Sequence, residues 1–247
     1  MERTSEWQSD TLVNVWSTTK TMMFLTLLTL ADRGEISLTD PVYKYWPEFK
    51  VNGKEGIEIR HLMAHTAGLS GWAEPMTSDD LFNHDKCAAV LGAQAPWWIP
   101  GSQSGYHAIT QGYLIGELVK RVTGQSLGNF FRENFAEPLG ADFHIGTAPE
   151  HHHRISNVIP GVSLLDPTAL PDSIAVRTYS NPKISAEIAW TSEWRQCESP
   201  AANGQGNARS VAQVQSIISH GGEAGGKRFL SSAGVEALFT EQMSGQD

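Results

Sequence analysis

The stretch VNVWSTTKTMMFLTLLTLADRG, residues 13–34, carries the strongest structural signal in the chain. Residues 11–16 alternate weakly between apolar and polar side chains, which predicts the end of a strand. Residues 18–32 are apolar on nearly every side, so we predict a helix at the centre of a domain rather than on its surface. Gly34 suits the left-handed position that ends such a helix.

Further helices are predicted from apolar spacing and from residues that favour helix ends. One helix is predicted to begin at Asp40, with Pro41 at the first helical position, and another to run through His65 to Gly68. Two more span residues 79–91 and 107–122. The last two follow Ser126 as cap and a capping-box pattern at Ser210 and Gln213. Residues 141–205 are rich in Pro, Asp, Ser and His, which indicates either a long functional loop region or several short elements.

Composition narrows the range of functions. The 247 residues carry a formal net charge of −9 with scattered Lys and Arg, which argues against binding to nucleic acid or to an anionic membrane. The opening residues lack the apolar core of a signal peptide, and the apolar segment 22–30 is too short to span a bilayer, so we expect a cytoplasmic protein. Cys87 and Cys197 are far apart and are interpreted as reduced thiols.

Ser17 and Lys20 form an S-x-x-K pattern at the start of the central helix. Residues three apart share a helix face, so Lys20 can stand beside the Ser17 hydroxyl. Burial would lower the lysine pKa and allow it to act as a base, and free N–H groups at the helix start would favour an oxyanion. The alternative is a plain N-cap serine with a lysine that extends to solvent.

A second serine, Ser126, lies in GQSLG, residues 124–128, which fits the G-x-S-x-G pattern of a nucleophile elbow. That elbow needs a strand before the serine, whereas the preceding residues LVKRVTG have a helical pattern. Helix, glycine, serine and helix in succession indicate an N-cap. We therefore favour a structural role for Ser126.

Tyr106 follows the loop PWWIPGSQSG and directly precedes a predicted helix. A tyrosine at the end of such a loop is well placed to project into a cleft. A lysine ammonium close to the phenol would favour its ionised form, so Ser17, Lys20 and Tyr106 could form one proton relay. The alternative is a tyrosine that packs under the loop.

A family resemblance rests on five stretches that occur in order along the chain: VNVWSTTK, LTDPVYKYWPEF, LMAHTAGL, PWWIPGSQSGYHAITQGYLIGELVKRVTG and EPLGADFHIG. Together they resemble the serine β-lactamase-like hydrolases, in particular the family VIII carboxylesterases, which share the class C β-lactamase fold. The resemblance extends from about residue 10 to the C-terminus. It implies that Ser17 is the acylated nucleophile, that Lys20 activates it, and that Tyr106 later activates water.

The resemblance also implies an α+β fold of the β-lactamase/transpeptidase type. Family members have further strands before the position of Met1 and end with strands that carry a third motif, so we expect a chain truncated at both ends. Most of the helical domain would be present, with the antiparallel sheet largely missing. We divide the chain into a sheet-side remnant (1–16), a helical domain with both motifs (17–165), and a loop-rich segment with a helix returning to the sheet (166–247).

Candidate substrate-binding residues are Trp98, His107 and Asn203. Trp98 and its neighbour Trp97 either line a pocket or pack the loop. Class C β-lactamases carry Tyr-x-Asn, and here His107 and an alanine follow Tyr106, which favours an esterase over an efficient lactamase. The choice of His107 and Asn203 rests on the resemblance.

Two histidine features are interpreted as structural. His65 lies at the end of a predicted helix before a glycine, and a structural role is favoured over a catalytic one. The segment EHHHR, residues 150–154, lacks partners at metal-ligand spacing, so a solvated loop is favoured over a metal site.

The sequence therefore predicts a serine hydrolase that cleaves short-chain carboxylic esters through an acyl-serine intermediate, without cofactor or metal. Its partner would be a small-molecule ester, and exposed sheet edges would favour self-association. The alternatives are β-lactamase, D-aminopeptidase or acyltransferase activity on the same residues, or a catalytically incompetent fragment or binding module.

Overall fold

Helices dominate the computed structural model, which describes residues 6–161 and 173–245. The α-helices are α1 (Thr19–Asp32), α2 (Ile59–Met63), α3 (His84–Ala93), α4 (Thr110–Thr123), α5 (Leu127–Phe131), α6 (Glu137–Leu139), α7 (Ile174–Ser180), α8 (Ser192–Gln196), α9 (Ala208–Ser219) and α10 (Ser232–Ala237). A π-helical segment, Arg132–Ala136, joins α5 to α6. None of the helices in these two ranges is both long enough and apolar enough to cross a membrane.

Short strands form one small sheet and one hairpin. The strands are β1 (Leu12–Asn14), β2 (Ile155–Ser156), β3 (Gln205–Gly206), β4 (Glu223–Ala224) and β5 (Lys227–Arg228). β1 is the central strand of the order β2-β1-β3, parallel to β2 and antiparallel to β3. The predicted α+β class, mostly helical with little sheet, is therefore confirmed, and the small sheet is mixed rather than purely antiparallel.

Helix α1 lies at the centre of the fold, as its composition predicts. Leu25, Leu27 and Leu30 are at most 2% exposed although they point in different directions around the helix. Helices α4, α5 and α10 pack against it. The Thr26 hydroxyl donates to the Met23 carbonyl at 2.6 Å, which satisfies a polar group inside this apolar core.

Helix α4 brings a distant loop close to α1 because Gly112 has no side chain. A Cβ at Gly112 would lie 2.5 Å from the Ala201 backbone nitrogen and 2.9 Å from that of Pro200. The segment 199–206 can therefore lie directly on α4. We call it the 199–206 loop, and it also ends in β3.

Several predicted helix ends are wrong, for local reasons. No α-helix begins at Asp40, because its carboxylate accepts from the Ser37 N–H, the Lys44 ammonium and the Tyr45 hydroxyl, and only a 3-10 turn, Val42–Lys44, follows. Helix α2 ends at Met63 and does not reach His65, which adopts a left-handed φ of 61°.

Two other helices also begin at different residues from those predicted. Asn83 interrupts the predicted helix over 79–91, since its side chain accepts from the Lys86 N–H and starts α3 anew. The capping box of α9 pairs Asn207 with Ser210, one turn before the predicted pair. Residues 141–161 and 173–205 form several short elements rather than one long loop.

One hydrophobic core unites the chain. It includes Leu27 of α1 together with Trp194 of α8 and Val214 of α9. The boundary drawn between residues 165 and 166 lies outside the described residues. The core thus joins the parts of the chain on both sides of it.

A buried polar network ties β1 to α8 and to the 199–206 loop. Asn14 Oδ1 accepts from Trp194 Nε1 at 2.9 Å and from Gln205 Nε2 at 3.0 Å. Asn14 Nδ2 donates to the Ala202 carbonyl at 3.1 Å. The Asn14 side chain is 4% exposed, so water does not replace these bonds.

Replacement of Asn14 by leucine is expected to lower the free energy of unfolding by about 3 kcal/mol or more, because three buried polar partners lose their hydrogen bonds. Urea unfolding followed by circular dichroism measures the change. The matched control is Asn129→Leu, at an exposed position, with an expected change within about 0.5 kcal/mol. Equal effects of the two substitutions would contradict the buried network.

Candidate active site

Ser17 lies at a sharp junction between β1 and α1. The chain leaves β1 at Asn14 and passes through Trp16 with φ of 47°, a left-handed conformation that is rare for a bulky residue. A 3-10 turn, Trp16–Thr18, then leads into α1 and leaves Ser17 exposed. Backbone strain of this kind concentrates at functional sites. The junction presents the Ser17 hydroxyl at a helix start.

The 199–206 loop holds this junction in place. The Gly204 carbonyl accepts from the Val15 N–H and the Gly204 N–H donates to Thr19 Oγ1, both at 2.9 Å. Thr19 Oγ1 donates in turn to the Trp16 carbonyl at 2.5 Å. A Cβ at Gly204 would lie 2.6 Å from Thr19 Oγ1, so the close approach requires glycine. The strained turn is thus fixed from both sides.

Lys20 is buried one helical turn after Ser17, at 5% exposure. Its Nζ donates to the Ala108 carbonyl at 2.7 Å and to the Ala201 carbonyl at 3.1 Å. Burial lowers the pKa of Lys20 from 10.5 to about 7. A large part of Lys20 is therefore neutral near neutral pH, as a general base must be.

The aromatic ring of Tyr106 lies next to the Lys20 amine. The Lys20 Nζ lies 4.9 Å from the centre of the Tyr106 ring, within the range of a cation–π contact. The His65 ring lies 4.6 Å from the same ring, at an interplanar angle of 42°. Tyr106 is half-buried between them. The fold thus brings Lys20 and Tyr106 together, and Ser17 lies in the 3-10 turn that directly precedes the helix of Lys20.

His107 does not have the contacts expected of a substrate-binding residue. It is fully buried, its Nε2 accepts from the Leu69 N–H at 3.1 Å, and its Nδ1 donates to the Gly105 carbonyl at 2.6 Å. Burial, and then the nearby His65, lower its pKa to about 3. Both ring nitrogens of His107 are used by the backbone, so its role is to support the loop.

Trp98 packs against this support. Its ring meets the His107 ring edge-on at 5.8 Å, and a Cβ at Gly105 would lie 2.5 Å from it. Trp98 is half-buried, so part of its ring stays open to solvent. Of the two alternatives for Trp98, loop packing is directly visible.

Asn203 also differs from its expected role. It is fully buried, its Nδ2 donates to the carbonyls of Trp194 and Cys197, and its Oδ1 accepts from the Ser199 N–H. These bonds occupy both ends of the amide. Asn203 therefore shapes the 199–206 loop from inside and does not face a ligand.

Ser126 is a helix cap, as its sequence context predicts. Its Oγ accepts from the Asn129 N–H at 3.3 Å and donates to Glu198 Oε1 at 2.5 Å. The other carboxylate oxygen of Glu198 accepts from the Gly128 N–H at 2.8 Å. The partner of Ser126 is therefore a glutamate that also binds the first turn of α5, and among the described residues no imidazole contacts the hydroxyl.

The functional groups that sequence reasoning missed are backbone carbonyls. Ala108 and Ala201 hold Lys20 through their C=O groups, which every residue carries. No residue type marks such an acceptor. The glycines beside them, Gly112 and Gly204, are the visible signal, since each allows a close backbone approach.

Comparison with known proteins shows which family the chain resembles. The family model described as "Beta-lactamase" matches residues 1–247. The protein "Esterase/beta-lactamase LipL" of Mycobacterium tuberculosis is 35% identical over 243 residues, which cover 94% of this chain and 56% of that protein. "Esterase EstB" of Burkholderia gladioli is 32% identical over 150 residues, or 54% of this chain and 38% of that protein.

Solved structures show the same fold. A family VIII carboxylesterase superposes with a TM-score of 0.91 at 38% identity, covering 98% of this chain and 64% of that one. A penicillin-binding protein homologue from Caulobacter crescentus has a TM-score of 0.86 at 34% identity, covering 99% and 65%. The matched regions thus cover between 38% and 65% of the length of these relatives.

A fluorophosphonate probe is expected to label Ser17 faster as pH rises through about 7, because Lys20 takes up the serine proton only when it is neutral. The labelling rate, followed by intact-protein mass spectrometry from pH 5.5 to 9, measures this. Lys20→Met is the control, with an expected loss of about 10²-fold and no rise near pH 7. A rate in the parent chain that does not change over this range would contradict the assignment.

Proposed function

The chain belongs to the beta-lactamase family, and on that premise we propose that it is a serine hydrolase that cleaves short-chain carboxylic esters. One observation carries the proposal: Lys20 is buried and held between two backbone carbonyls, beside Tyr106 and one turn from an exposed serine. This arrangement combines an accessible nucleophile with a base whose pKa is lowered to about 7.

Acylation begins with Ser17. Its Oγ attacks the ester carbonyl carbon, and its proton passes to Lys20 Nζ. Within the described part of the chain, the Ser17 N–H has no backbone acceptor, so it is available to the oxyanion of the tetrahedral intermediate. The intermediate collapses, the bond to the alcohol oxygen breaks, and this oxygen takes the proton. An acyl-Ser17 ester remains.

Deacylation uses a water molecule and Tyr106. Tyr106 passes its phenol proton to the neutral Lys20 Nζ, which lies 4.9 Å from its ring centre. The resulting phenolate takes a proton from water as the water attacks the acyl carbonyl carbon, and Lys20 then supplies the proton for Ser17 Oγ. Ser17 Oγ leaves and regains a proton, and the carboxylic acid is released. Because Lys20 contacts Tyr106 and follows Ser17 by one turn, it links the two steps electrostatically.

Esters are favoured over lactams by the residue at position 108. Ala108 stands where class C β-lactamases carry the asparagine of Tyr-x-Asn, so the side chain at this position has no amide. The backbone carbonyl of Ala108 accepts a hydrogen bond from Lys20 Nζ. No amide at this position is left to hold the side chain of a β-lactam. The relatives named esterase and the carboxylesterase structure support the same substrate class.

Ser17→Ala is expected to lower kcat/KM for p-nitrophenyl butyrate by at least about 10³-fold, because the nucleophile is lost. Ser126→Ala is the matched control. It should keep kcat/KM within about threefold and lose about 1 kcal/mol of stability through the missing cap. Loss of activity in the Ser126 variant, or probe labelling of Ser126, would contradict the mechanism.

A second comparison tests the substrate class on the parent chain. The kcat/KM for p-nitrophenyl butyrate is expected to exceed that for a chromogenic cephalosporin by at least about tenfold, since no asparagine amide stands at position 108. The reverse order would favour a β-lactamase. If the parent chain neither turns over the ester nor forms a probe adduct, it is a catalytically incompetent unit of a longer protein.

A further inference from the structure

The segment 62–70, which contains AHTAGL, acts as a template for the loop that carries Tyr106. Hydrogen bonds connect the segment 62–70 to the Tyr106 loop and to the start of α4. They join the Gly68 carbonyl to the Trp97 N–H, the Thr66 carbonyl to the Gly101 N–H, the Leu69 carbonyl to Thr110 Oγ1, and the carbonyls of Leu62 and Met63 to Gln111 Nε2. The Tyr106 loop therefore takes its shape from this segment.

His65 is the member of the template that encloses Tyr106. Its carbonyl accepts from the Gly105 N–H at 3.1 Å, and its Nδ1 accepts from the His107 N–H at 3.0 Å. The N–H groups of the two residues on either side of Tyr106 are thus both bound by His65. The His65 ring also lies 4.6 Å from the Tyr106 ring.

The backbone of His65 makes this double contact possible. Its φ of 61° is left-handed, a conformation that is uncommon outside glycine and in which Asn, Asp and His are enriched. The chain turns there directly after α2, which ends at Met63. A residue held in such a conformation without glycine indicates that its side chain is needed.

The protonation state of His65 follows from its partner. A backbone N–H only donates, so Nδ1 carries no proton and Nε2 carries the single ring proton. Burial, and then the charge of Lys20, lower the pKa of His65 to about 4. The ring therefore remains an acceptor at Nδ1 at neutral pH.

The His107 side chain also binds both the Tyr106 loop and the segment 62–70. Its Nδ1 donates to the Gly105 carbonyl at 2.6 Å, and the Leu69 N–H donates to its Nε2 at 3.1 Å. Gly105 and His107 are therefore bound to each other and to the template. Tyr106 is left with a fixed backbone and a side chain directed at Lys20.

We propose that His65 is the positioning residue of Tyr106, through its Nδ1 acceptor and its left-handed backbone, and that it acts without touching substrate or reacting atoms. This inference rests on the proposed role of Tyr106 as a base. A misplacement of about 1 Å in a catalytic group can lower a rate about 10²-fold. A histidine that only fills space would tolerate loss of the acceptor.

Three substitutions separate the two properties of His65. His65→Asn keeps a left-handed preference and places an amide oxygen near the Nδ1 position. His65→Gly keeps the backbone freedom and removes the acceptor. His65→Ala removes both. All three lose the ring contact with Tyr106, so comparison of the Asn and Gly variants isolates the hydrogen bond.

Ester hydrolysis at several pH values is the first measurement. We expect kcat to fall about 30- to 100-fold in His65→Gly, further in His65→Ala, and no more than about fivefold in His65→Asn, with KM within threefold throughout. Thermal melting confirms that each variant is folded. Equal kcat values for the Asn and Gly variants in an active chain would overturn the inference.

Amide hydrogen exchange, read by mass spectrometry on peptides covering residues 105–107, is the second measurement and needs no activity. Exchange there is expected to be at least about tenfold faster in His65→Gly than in His65→Asn. If this difference appears in a chain that does not hydrolyse esters, the proposed function fails and the positioning role stands. Equal exchange in the two variants overturns the positioning role, whatever the activity.

Discussion

The buried Lys20 is the constraint on which the site depends. An amine at 5% exposure needs hydrogen-bond acceptors, since an unsatisfied polar group inside a protein is costly. Here the acceptors are the carbonyls of Ala108 and Ala201, from two segments far apart in the chain. Satisfying one side chain therefore fixes the start of α4 and the 199–206 loop against α1. The same burial that demands these partners lowers the lysine pKa to about 7.

Other glycines and asparagines hold the segments around Lys20 in place. Gly204 fastens the strained turn at Trp16, and Gly112 allows the 199–206 loop to reach α4. Asn14 and Asn203 satisfy this loop from within the core. Asn203 was expected to bind substrate, and its amide instead bonds to neighbouring backbone groups and to Cys197 Sγ. Rigid support of this kind keeps a catalytic geometry without the reorganisation that a solvated site requires.

The membership in the beta-lactamase family and the geometry support one another but answer different questions. The family shows the fold and the order of the motifs. The contacts show how Lys20 is held, since its Nζ donates to the Ala108 backbone carbonyl. The relatives are longer than this chain, which covers 56% of one and 64% of another.

Helix composition and helix caps depend on residues that are neighbours in the chain, so they could be predicted from the amino-acid sequence. The apolar run of α1 and the cap role of Ser126 follow from helix periodicity and cap preferences, and both agree with the structure. The predicted helix ends were wrong where side-chain hydrogen bonds or an unusual backbone angle determined the local structure, as at Asp40 and at the end of α2. Contacts between distant segments bury His107 and give Lys20 two carbonyl acceptors. They also place His65 against the residues on both sides of Tyr106. These contacts use backbone groups that every residue shares, and the segments that supply them meet only when the chain folds.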